Sequence, residues 1–406
     1  MSHSTRRSGP WAGSFACWSL TLLLLLGGCG NDLEAPDDPA APTMDLRTPA
    51  GEVLEEELST EYQPLRLVRL VDGLEQPWAV GFLPDGRLLV TERPGRMQLV
   101  DEEGATELEG LPPVHAQGQG GLLDVVPHPD YEESGWIYFT YSQGDEDATA
   151  TTLTRARLDG TALVDVEELF QAQPPEAPGG HYGSRILFLD DGTLLMSVGD
   201  RARNPERAQD TEDHAGTLLR LNADGSVPAD NPFLDQDGYA PEVFTYGHRN
   251  IQGLTRHPAT GEIWATEHGP RGGDELNLIQ AGMNYGWPLV SLGREYGSQE
   301  PWGDERRRDD LTDPVLEFLP TLAPSGLTVV QGGGFHGTWE GNLLAGGLGS
   351  QRILRLVVEE GEVLHAEELI RGMVGRIRDV RQGPDGFIYF VTGEGDGGLY
   401  RLEPVE

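Results

Sequence analysis

Residues 84–92 read PDGRLLVTE, a proline and an Asp-Gly pair followed at once by a short run rich in β-formers. Turn chemistry of this kind, leading straight into an apolar run, makes a tight hairpin. The unit returns as PDYEESGWIYFTYS at 129–142, DDGTLLMSVGD at 190–200, PATGEIWATEHG at 258–269, WEGNLLAGGL at 339–348 and PDGFIYFVTGEG at 384–395. Little sustained helical periodicity separates these returns. Repetition of one supersecondary unit predicts an all-β chain, a six-bladed β-propeller of four-stranded antiparallel blades. A β-sandwich is also turn-rich but does not require so many similar hairpins. Spacing between the returns is shortest at the two ends and longest in the middle. Insertions in such arrays fall in loops on one face, so the middle blades are expected to carry the site.

The bulk numbers fit one large all-β domain or two ordinary ones. The chain has 406 residues, of which Gly and Pro supply 84 (55 + 29). Its formal charge is −38, from 67 acids against 29 bases. Such a chain repels phosphate backbones and anionic lipid, which argues against nucleic-acid binding. The two cysteines, Cys17 and Cys29, lie in the first thirty residues, so the folded part has no disulfide framework.

At the N-terminus, Arg6 and Arg7 precede FACWSLTLLLLLGG, with the layout of a signal peptide over 1–28. It ends in LGGC, Leu26 to Cys29, which resembles a bacterial lipobox. That resemblance implies cleavage before Cys29 and lipid on its thiol, a tether to the cell-envelope membrane (periplasmic or outer) rather than a span. Residues 29–62 are rich in Pro, Ala, Asp and Glu, with Arg47 the one base, and are expected to be a solvated tether. The propeller is then 63–406.

Several side chains have the chemistry of a site. His181 sits in a glycine-rich loop, PPEAPGGHYGSRILFL, just before an apolar run, and Asp200 closes the same repeat unit in SVGDR. An Asp that fixes the tautomer of a His makes a competent general base. YGHRNIQG carries Arg249, a permanent cation able to stabilise a developing oxyanion or to form a loop salt bridge. GRIRDVRQG places Arg376 and Arg378 two apart, on one face of a strand. They suit a carboxylate-bearing ligand or the protein's own acids. EHGPRGGDE, 267–275, joins acids to an irregular Gly-Pro turn whose carbonyls at Gly269 and Pro270 suit Ca²⁺, with Asp274 and Glu275 nearby.

Taken together, QPWAVGFLPDG, GQGGLLDVVPHPDY, GGHYGSRILF, TYGHRNIQGL, EHGPRGGDELN, NYGWP and RIRDVRQGPDG resemble the soluble quinoprotein sugar dehydrogenases, the PQQ-dependent glucose and aldose sugar dehydrogenase family. The resemblance runs from about Gln63 to Leu402 and implies a propeller holding PQQ and calcium in a cleft on its top face. It implies that His181 takes the proton of the sugar's anomeric hydroxyl while hydride passes to the quinone. Asp200 then supports the base, and Arg249 polarises the quinone oxygen with Asn250 beside it. Gln119 lies near the reacting centre, Arg376 and Arg378 bind PQQ carboxylates, and Tyr296 contacts the cofactor. Gly269 and Pro270 hold the PQQ calcium through their carbonyls, and Glu275 and Tyr285 a separate structural calcium. The implied partners are a sugar substrate and an external electron acceptor, because the chain has no haem-attachment motif. Two positions depart from the family. Gly180 stands where glucose-oxidising members carry an acid, and Gly349 where relatives have a PQQ-binding lysine. Arg352 either replaces that lysine or faces outward. Two other readings share this fold: a non-catalytic propeller binding a glycan or protein, and a dehydrogenase of a non-aldose such as sorbosone.

Overall fold

A computed structural model describes residues 44–303 and 305–405. The proposed signal peptide and Cys29 lie outside them. Among the described residues no helix is long and apolar enough to cross a membrane.

Each sequence repeat is the hairpin joining the first two strands of one sheet. Residues 84–87 link Pro77–Phe82 to Leu88–Glu92, and 383–387 link Ile377–Gln382 to Ile388–Thr392. Six antiparallel sheets result, five of four strands and one of five. Their first strands, Pro77–Phe82, Leu122–Pro127, Ile186–Phe188, Ile251–Arg256, Pro324–Val329 and Ile377–Gln382, each touch the next, and the last touches the first. That ring defines the axis of a six-bladed β-propeller.

Second strands are buried along most or all of their length, completely so in Thr193–Val198 (TLLMSV) and Ile388–Thr392 (IYFVT). Neighbouring blades cover both faces of such a strand, so it reads as a continuous apolar run instead of alternating. The core accordingly lies between blades: one cluster joins Leu89 and Met97 to Phe139 and Leu163, another Met196 to Tyr138. Truncating Phe390, wholly buried in such a cluster, should cost about 3–5 kcal/mol.

The last blade closes the ring with chain from the other end. Leu65–Leu74 pairs with Gly397–Pro404, Leu67 opposite Leu402. Outside it lies a fifth strand, Glu52–Leu58, within the segment expected to be a solvated tether. Its composition argued against burial, yet an edge strand needs little burial. Backbone hydrogen bonds and pairs such as Arg66–Glu56 (3.0 Å) and Arg69–Glu52 hold it to the blade.

Candidate active site

A cleft of about 370 Å³ opens on the axis, at the end where first strands begin and second strands finish. Residues just ahead of first strands reach it: Gln76, Asn250 and Arg376. So do residues that immediately follow second strands: Arg93, His268, Leu348 and Gly393. The site thus draws on the first and last blades as well as the middle ones, because all six converge on the axis. The middle blades contribute His181, Arg249, Asn250, Gln252, His268 and Tyr296, with Asp200 behind His181.

His181 Nδ1 lies 2.5 Å from Asp200 Oδ1, which leaves Nε2 as the ring nitrogen without a protein partner among the described residues. The loop carrying His181 is tightly held. Its backbone N–H donates to Gln119 Oε1 at 2.9 Å, and Gly183 donates to Asn250 Oδ1 at 3.1 Å. His181 takes a left-handed φ of 49°, a conformation costing about 1–2 kcal/mol for a residue with a Cβ. Gly199 permits this: a Cβ there would stand 2.4 Å from the His181 carbonyl oxygen. Strain kept in place by surrounding bonds is characteristic of functional loops.

Asp200 is buried, and burial alone would raise its pKa. The hydrogen bond from His181, the charges of His181 and Arg249 and the Ala202 N–H outweigh that and hold it below the usual carboxylate range. Its second oxygen accepts the Trp287 indole N–H at 2.8 Å. Arg249 lies over the face of the same ring, 5.3 Å from its centre.

At the other end of the cleft stand Arg376, Arg378 and Arg93. Burial, followed by the charges of Arg185, Arg376 and Arg93, presses the Arg378 pKa down to about 9. Its one side-chain partner is Gln252 Oε1 at 3.2 Å. This is a part-buried guanidinium among cations, with no ion-pair partner among the described residues. Beneath it, Arg185 donates to the carbonyls of Gln252 (2.6 Å) and Arg378 (3.1 Å) and pairs with Asp379 at 2.9 Å. Tyr296, 66% exposed, stands at the mouth.

The stretch 267–275 is more divided than its sequence suggested. Glu267 accepts from the Arg249 N–H (2.7 Å) and Asn277 (2.9 Å) and faces His248 Nδ1 at 2.8 Å. Asp274 accepts from the N–H groups of Gly269, Leu322 and Ala323 at 2.8–3.1 Å, which ties the Gly-Pro turn down. His268 lines the cleft, its pKa pushed well below the ordinary value by burial and then by Arg249, His181 and Arg378, so it is neutral. Gly269, Glu275 and Tyr285 line a second, small cavity beside Glu267, whereas Pro270 lines neither. Burial, and then the charge of Glu267, raises Glu275 well above the carboxylate range. The Tyr285 hydroxyl donates to Leu278 O (2.7 Å) and accepts from Gln280 N–H (2.9 Å). Only its backbone oxygen is left to serve as a metal ligand. Among the described residues no cluster of three His, Cys, Asp or Glu is preassembled for a metal.

Gly349 is exposed, and Arg352 does not replace the family lysine: it is buried against Glu368 and the Pro320 carbonyl, away from the cleft. The sequence contains no lysine at all, its 29 bases being arginines. Sequence reasoning missed Arg93, His268 and Trp287. The first two had a findable signal, since each directly follows the second strand of a repeat.

The family described as Glucose / Sorbosone dehydrogenase matches residues 74–401. Aldose sugar dehydrogenase of Escherichia coli is 36% identical over 82% of this chain and 92% of its own. The crystal structure of the apo E. coli aldose sugar dehydrogenase superposes with a TM-score of 0.80 at 35% identity, covering 84% of this chain and 100% of that one. The PQQ-bound aldose sugar dehydrogenase of Streptomyces coelicolor superposes at 0.70 with 28% identity, covering 84% and 98%. This chain is a member of the glucose / sorbosone dehydrogenase family.

Proposed function

We propose that the protein oxidises aldoses at the anomeric carbon to lactones, with PQQ as cofactor and an external molecule as final electron acceptor. The observation that carries this is the His181–Asp200 pair opening into a cleft whose far end is a set of unpaired guanidiniums. That donor set fits a planar tricarboxylate: Arg378, Arg376 and Arg93 offer charge-assisted hydrogen bonds and have no carboxylates of their own. Asn250, Gln119 and Tyr296 line the same space.

PQQ, when bound, supplies a quinone that accepts hydride from the sugar's C1. The chain's own work is placement and proton transfer. His181 Nε2 takes the C1 hydroxyl proton. Asp200 fixes the ring by holding Nδ1 and stabilises the imidazolium that forms, as a buried carboxylate does in a catalytic triad. Arg249, held through its N–H by Glu267 and over its face by Trp287, presents a cation to charge developing in the cleft. Oxygens suit calcium at the small second cavity, where Glu275 and the Tyr285 carbonyl would hold a structural ion; the Gly269 carbonyl, on the wall of that same cavity, and the Pro270 carbonyl would have to turn toward the cleft to hold the cofactor's ion. Cys29 would carry the lipid that tethers the protein in the bacterial cell envelope.

The test is reconstitution of purified protein with PQQ and Ca²⁺, followed by aldose oxidation with an artificial acceptor. Turnover that disappears in His181→Ala, with PQQ still bound, is expected. A PQQ titration without absorbance change would instead favour the non-catalytic propeller.

A further inference from the structure

The arginines that have no carboxylate partner among the described residues line the cleft or belong to the segments that follow Asp200 and flank Gly269 and Tyr296, while the others are ion-paired. Arg93, Arg249, Arg376 and Arg378 line the cleft itself. Arg201 directly follows Asp200, and Arg203 stands two residues further on. Arg271 and Arg294, whose backbones bond to each other at 3.0 Å, belong with Arg306 to the segment that brings Tyr296 to the mouth. In a chain of net charge −38, such segregation gathers its unpaired cations around the cleft. A cleft of one sign raises the local concentration of ligands of the other.

The cofactor accounts for part of this charge. Its carboxylates suit Arg376, Arg378 and Arg93, and Arg249 faces the reacting atoms. Arg201 is spent on the fold, donating to Thr149 O (2.8 Å) and Oγ1 (3.1 Å) over the Tyr182 ring. Arg203, Arg271, Arg294 and Arg306 are left over; Arg306 donates to the Leu292 carbonyl and Arg294 to that of Gln299 (3.0 Å). Arg203 is exposed and makes one hydrogen bond, to Pro178 O at 3.0 Å. Its Nε lies 3.7 Å from where a Cβ on Gly179 would stand, so its guanidinium borders the loop that carries His181. The neighbour Gly180 has Ala202 Cβ (3.3 Å) and Gln119 Oε1 (3.4 Å) around it and no acid. Of the nearby carboxylates, Glu176 is paired with Arg207 (3.2 Å), whereas Glu295 accepts from the Ser298 hydroxyl (2.6 Å) and Glu394 from the Arg376 N–H (2.6 Å), and both keep their charge.

We propose that the preferred substrate is an anionic aldose, carrying a carboxylate or phosphate away from C1, steered by the unpaired cations around the cleft and held at its charged group by Arg203. This deepens the sugar-dehydrogenase reading above and rests on it. The chemistry is unchanged: the C1 hydroxyl proton goes to His181, the C1 hydride to the cofactor, and the resulting lactone keeps its charged group. The two electrons leave later to the external acceptor.

The test compares kcat/KM for D-glucuronate, glucose 6-phosphate and D-glucose with the PQQ- and Ca²⁺-loaded protein, from low salt to about 0.5 M. One or both anionic sugars should exceed glucose by about tenfold at low salt, the equivalent of one charge-assisted contact. The two anionic arms show whether carboxylate or phosphate is the recognised group. Arg203→Gln should raise KM for the anionic sugar about tenfold and leave glucose oxidation unchanged, and Arg294→Gln should lessen the salt dependence. Calorimetry on cofactor-loaded His181→Asn should show the same preference in binding without turnover. Glucose matching or beating both anionic sugars overturns the proposal while leaving the parent reading intact, as does an Arg203→Gln variant with unaltered selectivity. No turnover with any aldose overturns both.

Discussion

Trp287 donates its indole N–H to Asp200 Oδ2 at 2.8 Å, the oxygen that His181 does not use. With the Ala202 N–H on Oδ1 (2.8 Å), the carboxylate is fixed from both ends. Phenylalanine in place of Trp287 would keep the ring beneath Arg249 and remove only this donor. Trp287→Phe should therefore lower kcat about tenfold, the scale of one hydrogen bond to a charged group, with PQQ affinity little changed. Stopped-flow reduction of the bound cofactor checks it, and a variant as fast as wild type would show that Asp200 is held well enough without the indole.

Asp200 is held below the ordinary carboxylate range, so it stays ionised wherever the enzyme works. An acid limb in kcat therefore does not report Asp200. With its folded pKa depressed, Asp200 contributes stability above its unfolded value, and that contribution is lost as pH falls through the folded one. Asp200→Asn should cut kcat by about 10²–10⁴. It should also flatten the fall in thermal stability at acid pH. Melting curves between neutral and acid pH test the second claim independently of activity.

Arg378 is part-buried and crowded by Arg185, Arg376 and Arg93, so an anion arriving there relieves the repulsion among these cations. Arg378→Ala should weaken PQQ binding more than Arg376→Ala, by roughly 2 kcal/mol or more, as for loss of a buried charge-assisted contact. Arg93→Ala should also weaken it, which would show that this chain meets the cofactor's carboxylates with an arginine in the absence of lysine. Fluorescence or calorimetric titration with PQQ measures all of these.

The fold was legible because its signal is local and repeated: Asp-Gly turns and fully apolar second strands recur wherever blades stack. The outermost strand, Glu52–Leu58, was not, since an edge strand held by backbone bonds and by Arg66 and Arg69 leaves no apolar pattern. In the site, His181 and Asp200 could be paired from sequence because the strand geometry returns one repeat's end to its start. Arg93, distant in sequence from the other cleft arginines, becomes their neighbour only when the ring closes. Trp287 reaches Asp200 from an inserted loop, where no periodicity exists to place it.

Glu267 and Glu275 line one small cavity, and burial together with Glu267 keeps Glu275 well above the carboxylate range. Two carboxylates brought together out of water repel unless a proton or a cation lies between them. A bound Ca²⁺ would relieve this and brace Glu267, whose other oxygen holds the Arg249 N–H. Chelation should therefore lower the melting temperature by several degrees and speed hydrogen exchange across 267–275, the segment that Asp274 otherwise pins. Glu275→Gln removes one of the two charges, so it should make the protein less sensitive to chelator even if it is no less stable without the ion. Exchange in 267–275 that is the same with and without chelator would mean that Asp274 and Asn277 hold this corner by themselves, and that no cation organises it.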